Sequence, residues 1–438
     1  MKRTMIKIIS LALSLLMLVG CFTACGGTGK PLLSLDNAQI SENVYMLFLS
    51  RLKGNLASAV NYGQEALTEG FWDTVISNDG TTREKSYKEQ ILDECKFYVA
   101  ALNTFDELGL KLPKAYTDEI DQTLKDYVDI DADGSKAAFN AIMLKYGANY
   151  DVLREALIIE AKLAYLNEYL YGAGGSKIGH EIIKDYYEAN YVRFKHIFFY
   201  TYGPLYETDG EGNDIYYSDA MTKKVAYDTS AFKRRDEAGK EVTDQNGDVI
   251  YETATGKIAY DKSAGQRMPI YDERGYVVTR EFNQQELIEV SDHATLLMEE
   301  LKNNEGNYTL FDTYVEKYSE DEGSLKYSNG FYMTAESNYD SPEVLSAVCE
   351  MECGEIRKIY SDYGIHIVMK YELEENGYAK TENSDFFVNA NTGTLVFMNK
   401  LMSILLTERL SSLKNEVRVD KERYAAISIK DIGANFYY

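Results

Sequence analysis

The sequence predicts an α+β protein: a mostly helical body, formed by an N-terminal half and a C-terminal segment, around an inserted α/β region with a β-hairpin-rich excursion of its own. Three observations carry that reading. Apolar residues recur at helical spacing over residues 42–56, 86–110 and 117–128, and again over 391–417. Two distant stretches, Lys195-His196-Ile197-Phe198-Phe199 and Gly364-Ile365-His366-Ile367-Val368, alternate as half-buried strands do. Between residues 203 and 287 the chain repeats Gly-containing turns, each followed by β-branched and aromatic residues, which is the pattern of successive hairpins.

At the N-terminus, residues 1–20 place Lys2, Arg3 and Lys7 before an apolar run from Ile8 to Val19. That is the layout of a secretory signal peptide, and the run is too short for a lasting membrane span. Leu18-Val19-Gly20-Cys21 resembles the lipobox of bacterial lipoproteins, which implies lipid on Cys21. Phe22-Thr23-Ala24-Cys25 is a second fit, with Cys25 as the alternative, and a plain signal peptide with an incidental thiol is the other reading. Residues 21–31, small and polar around Gly26-Gly27-Thr28-Gly29-Lys30, read as a tether. The expectation is an extracytoplasmic protein, held to the bilayer of a bacterial cell by an N-terminal lipid anchor.

Residues 32–190 read as a helical domain. A short strand and turn over Ser34 to Ser41 leads to a helix from Glu42, with Ser41 as its N-cap and Val44, Leu47, Phe48 and Leu52 as its apolar face. Beyond the tether the cysteines are Cys95, Cys349 and Cys353, without a CxxC or a Cys/His cluster. Disulfides and a structural metal are therefore not expected as organisers, and Cys349 and Cys353 read as buried small hydrophobes. Asp129 to Gly134 opens like a calcium loop, but the twelfth position is Asn140 where a bidentate Glu is needed, so a solvated inter-helix loop is expected and no metal. The net charge of -24 argues against nucleic acid as a partner, because phosphate binding needs an excess of Lys and Arg. No feature calls for a cofactor. The 37 tyrosines fall mostly in amphipathic runs and hairpins, where a ring packs and its hydroxyl stays wet.

The candidate chemistry lies in three places: His196, the loop Tyr318-Ser319-Glu320-Asp321-Glu322-Gly323-Ser324, and His366. Two strand histidines and a loop carboxylate can converge. In this order, with Pro342-Glu343, Gly354-Glu355-Ile356 and Ser361-Asp362-Tyr363 ahead of the second histidine, residues 191–373 resemble the parvulin family of peptidyl-prolyl isomerases. The resemblance implies that His196 and His366 hydrogen-bond to each other at the floor of a pocket. It also implies that Asp321 acts on the substrate carbonyl, and that Tyr363 stands where the family often has a polar hydroxyl or aromatic residue. The substrate-binding positions fall on Asn329, Tyr332, Asp340 and Val344, in a frame where the family's apolar leucine becomes Asn329 and its Met and Phe become Asp340 and Val344. That makes a poorer apolar seat for proline, and weak or specialised catalysis is expected. The insertion over 203–287 replaces a short loop of the family.

A second resemblance rests on Gly134 to Phe139, Leu144-Lys145-Tyr146-Gly147 and Leu153-Arg154-Glu155, which are similar to the N-terminal chaperone region of SurA-like and PrsA-type foldases. It implies one helix carrying Phe139 and Leu144 inward, ended by Gly147, and a C-terminal segment, 385–438, packed back on the helical domain. Together these imply a membrane-anchored foldase, both peptidyl-prolyl isomerase and chaperone, acting on unfolded or newly secreted polypeptides. The alternatives are a catalytically weak or inactive parvulin-like holdase, and a surface lipoprotein whose Tyr-rich insertion binds an external ligand or wall polymer.

Overall fold

The computed structural model describes residues 28–59, 63–208, 269–389 and 395–438, with residue 393 and short stretches between 215 and 267. The expected signal peptide, Cys21, Cys25 and most of the tether lie outside the described residues, as do the turns at 209–212, 245–248 and 254–256. Among the described residues no helix is long and apolar enough to cross a membrane. The chain divides into two compact units, residues 1–183 with 393–438 and residues 184–392.

The first unit starts with a hairpin, Pro31–Leu35 against Ala38–Ser41, whose other edge pairs with Arg418–Val419. Ser41 Oγ accepts from the Val44 amide and starts the helix Glu42–Ser58. Helices Arg83–Glu107, Lys114–Ala132, Lys136–Met143 and Tyr150–Tyr171 follow. Leu33, Ile40, Leu47, Cys95, Leu124, Phe139 and Val152 share one apolar core. The C-terminal helix Val396–Glu416 adds Leu406 and Leu410 to a second cluster with Phe105 and Leu166. Phe139 points inward, but Leu144 is 49% exposed, contrary to expectation. The helix tightens to a 3₁₀ turn over Leu144–Tyr146, which rotates Leu144 outward and gives the inward place to Tyr146. Gly147 then takes φ 70°, and a Cβ there would come within 2.9 Å of Met46. The calcium-like stretch is the last turn of a helix and the turn after it, with Asp129 paired to Lys125 and Asp131 accepting from the Tyr438 hydroxyl.

In the second unit, strand β1 (Tyr191–Tyr200) precedes the insertion; helices α1 (Gln284–Lys302), α2 (Tyr308–Tyr318) and α3 (Glu322–Lys326), strand β2 (Phe331–Thr334), helix α4 (Pro342–Glu350) and strands β3 (Ile356–Ser361) and β4 (Gly364–Tyr371) follow it. The sheet order is β2-β1-β4-β3, antiparallel throughout. One face presents Ile197, Phe199, Ile365, Ile367 and Met369 to Leu297 and Leu301 of α1 and to Phe311 and Val315 of α2. The other places Phe194, Phe331 and Val368 against Val344 and Val348 of α4.

Leu296 is 66% exposed beside the buried Leu297 and Leu301, because one residue turns a helix by about 100° and only the i, i+4 pair faces the sheet. Cys349 and Cys353 are exposed rather than buried: the inward stripe of α4 is Val344, Leu345 and Val348, so Cys349 is rotated off it and Cys353 falls in the following turn. In the insertion Tyr202–Pro204 pairs with Thr279–Glu281, and the strand stretches 215–218 and 251–252 each lie between two short antiparallel partners.

Candidate active site

Side chains of successive strand residues alternate between faces, so His196 and Phe198 of β1 and His366 and Val368 of β4 share one. The register sets His366 opposite Phe198 and Val368 opposite His196, which leaves the two imidazoles as diagonal neighbours. Their Nδ1 atoms are 3.0 Å apart, and both residues are almost fully buried. His196 Nε2 lies 2.9 Å from Asp321 Oδ2, and His366 Nε2 lies 2.8 Å from Ser361 Oγ.

Asp321 is held in turn. It caps α3, accepting from the amides of Gly323 at 3.1 Å and Ser324 at 2.7 Å, with Ser324 Oγ 2.8 Å from the same carboxylate. The loop before it is pinned to β1 by the Glu320 amide, which donates to the Phe198 carbonyl at 2.9 Å, and by Ser319 Oγ, which accepts from the Phe198 amide at 3.1 Å.

These contacts fix the protons. Burial, and after it the neighbouring His196 ring, pushes His366 down to about 3, so at neutral pH it carries one N–H. Burial would raise the Asp321 carboxyl, but hydrogen bonds from His196, Ser324 and the Gly323 amide outweigh it and hold the group well below the usual carboxylate range. An anionic carboxylate only accepts, so His196 donates through Nε2, while its Nδ1 shares one hydrogen bond with Nδ1 of His366 and Nε2 of His366 bonds to the Ser361 hydroxyl. Ser361 Oγ in turn accepts from the Tyr363 amide at 3.2 Å. Every ring nitrogen is satisfied by one chain of bonds running from Ser361 to Asp321.

Above this floor is an open cleft of about 380 Å3. Phe198, Phe331 and Tyr339 wall it, and Tyr200, Tyr202 and Tyr363 stand around it. His196, Asp321, His366, Tyr363 and Asp340 thus line one space, while Asn329, Tyr332 and Val344 do not. Val344 is fully buried among Phe194, Phe331 and Val368. The Tyr332 hydroxyl donates to Glu374 at 2.6 Å, and Asn329 Nδ2 donates to Asn383 at 3.2 Å. The pleat of β2 turns Phe331 to the cleft and Tyr332 away, one residue out of step with the sequence frame. The apolar wall is therefore aromatic, and the expected poor aliphatic seat is replaced by three rings.

Phe198, Tyr200 and Tyr202 follow His196 in steps of two, a signal that strand alternation supplies. Tyr339, Ser341 and the hydrogen bond of Ser361 depend on loop conformation and register, which no spacing reveals. Among the described residues no group of three or more His, Cys, Asp or Glu side chains could hold a metal ion.

Residues 277–372 match the family model described as rotamase, PPIC-type PPIASE domain. No curated protein matches the chain. Solved structures similar to it include PrsA from Bacillus subtilis (17% identity, 79% of this chain and 90% of that one, TM-score 0.19) and the peptidylprolyl isomerase PrsA from Bacillus cereus (15%, 79% and 91%, TM-score 0.24). The foldase protein PrsA from Streptococcus pneumoniae is another (10%, 80% and 96%, TM-score 0.20). The match opens near the end of the insertion, so it leaves out β1 and His196; the pairing of β1 along β4 restores them to the sheet. With that strand returned to its place, the chain carries a peptidyl-prolyl cis–trans isomerase domain of the PPIC-type rotamase family.

Proposed function

We propose that the protein is a lipid-anchored extracytoplasmic foldase that isomerises X-Pro bonds in newly secreted polypeptides and holds them through its helical body. The observation that carries the catalytic part is an anionic carboxylate, Asp321, fixed at the floor of an aromatic cleft by His196 and Ser324. Rotation about an X-Pro bond is slow because amide resonance gives the C–N bond partial double-bond character, with a barrier of roughly 18–20 kcal/mol. Resonance places negative charge on the carbonyl oxygen, and twisting the bond removes it. A fixed anion beside that oxygen disfavours the planar amide more than the twisted one, so the barrier falls without a covalent step. Phe198, Phe331 and Tyr339 seat the proline ring, while the buried histidine pair holds Asp321 in position.

Isomerisation of a proline peptide followed by NMR exchange tests this. The full chain accelerates exchange and Asp321→Ala slows it. No acceleration, together with retained suppression of client aggregation, would leave a holdase. Support for the anchor comes from the sequence around Cys21, and mass spectrometry of membrane-extracted protein tests it: diacylglyceryl mass on Cys21, absent in Cys21→Ala, is expected, whereas lipid on Cys25 or none overturns the assignment.

A further inference from the structure

The cleft is lined by carboxylates. Asp321 and Asp340 line it, His366 is neutral, and no Lys or Arg among the described residues does so. The two carboxylates are not equivalent. Asp321 is engaged by His196, Gly323 and Ser324, whereas Asp340 is exposed and makes no hydrogen bond or ion pair with a described residue. Tyr339 adjoins it in the chain, and Tyr363, Tyr200 and Tyr202 line the same cleft. A free carboxylate among aromatic faces fits an ammonium or guanidinium group, which gains an ion pair at its head and ring contacts along its stem. An acidic side chain in the same position meets two like charges.

Resting on the isomerase reading of this cleft, we propose that Asp340 is a specificity-determining residue that selects X-Pro bonds with a lysine or arginine next to the proline. The wider charge of the chain, -24, works in the same direction by drawing basic segments toward it. Asp340 does none of the bond rotation; it biases which peptide occupies the cleft.

The test is a series of short peptides with Lys, Arg, Ala or Glu placed before or after a single proline, with kcat/KM for the full chain measured by NMR exchange. Expected is the order Lys and Arg above Ala above Glu at one of the two positions, with Lys over Glu by about tenfold at low salt. The ratio shrinks as ionic strength rises toward about 1 M, where the screening length is near 3 Å. Asp340→Asn brings the Lys-to-Glu ratio close to one, and Asp340→Lys reverses it. Equal rates for Lys and Glu peptides, or a preference that survives Asp340→Asn, overturn the assignment while leaving isomerase activity standing. No acceleration of any peptide removes the isomerase reading itself and this inference with it.

Discussion

The two faces of the four-stranded sheet are built from the same strands and do opposite work. On one, Ile197, Phe199, Ile365 and Ile367 meet α1 and α2 in a dry, close-packed layer. On the other, one residue along in each strand, His196, Phe198 and His366 lie under an open cleft. A shift of one position in a strand thus separates residues that hold the domain together from residues that shape its chemistry. The dry face is apolar but for Lys195 and Tyr371, whose polar ends both reach Asp312; the cleft face buries two imidazoles because every ring nitrogen has a partner.

The largest effect that would sharpen this division is on the dry face. Ile367→Ala, at a fully buried position, should cost about 2–5 kcal/mol in denaturant unfolding, with the rate per folded molecule near that of the parent. A comparable fall in specific activity would mean that the faces are not separate. On the cleft face the rate falls too. Asp321→Asn keeps a helix cap but loses an anion that the fold holds with four hydrogen bonds, so unfolding should cost about 1–3 kcal/mol, while kcat/KM should drop by about tenfold or more as the charge is lost. An unchanged rate would show that the carboxylate has no part in the reaction.

Acid separates the faces in a third way. Since folding pushes His366 down from 6.5 to about 3, the unfolded chain takes up a proton in that interval that the folded chain refuses. Stability should therefore fall as pH drops from 6.5 toward 3, by up to about 1.4 kcal/mol per pH unit, and Asp321, held low in the fold, adds a loss of the same sign at the acid end. His366→Gln should flatten the upper part of that slope in unfolding curves taken across the range; an identical slope would place the titration elsewhere. The smallest effect is expected at Cys349, exposed beside the inward stripe of α4, where Cys349→Ser should move stability by less than about 0.5 kcal/mol.

Much of this was legible in the residues. Helical spacing located the main helices, with Ser41 capping the first helix as read, and alternation placed His196 and His366 on strands. What failed did so for local reasons. A 3₁₀ turn moved Leu144 out, helical rotation exposed Cys349, and the pleat of β2 exchanged Phe331 for Tyr332. Asp340 lines the cleft as the family frame implies; Val344, from the same frame, sits behind the wall because α4 turns its N-terminal stripe to the sheet. Spacing fixes where a residue stands in the chain, while the side it faces depends on turns and register that a single sequence carries only faintly.

β1 is an inner strand, yet both of its neighbours are made long after it, and its histidine waits 170 positions for the other ring. As the polypeptide grows from its N-terminus, Phe194, Ile197, Phe198 and Phe199 wait first for Phe331–Thr334 and then for Gly364–Tyr371 before both edges of β1 are paired. The entropy of closing so long a gap rises only with the logarithm of its length, so the excursion between them burdens the finished fold little. The burden falls on timing: an early, greasy ribbon stays without its sheet partners until the long connection has been made.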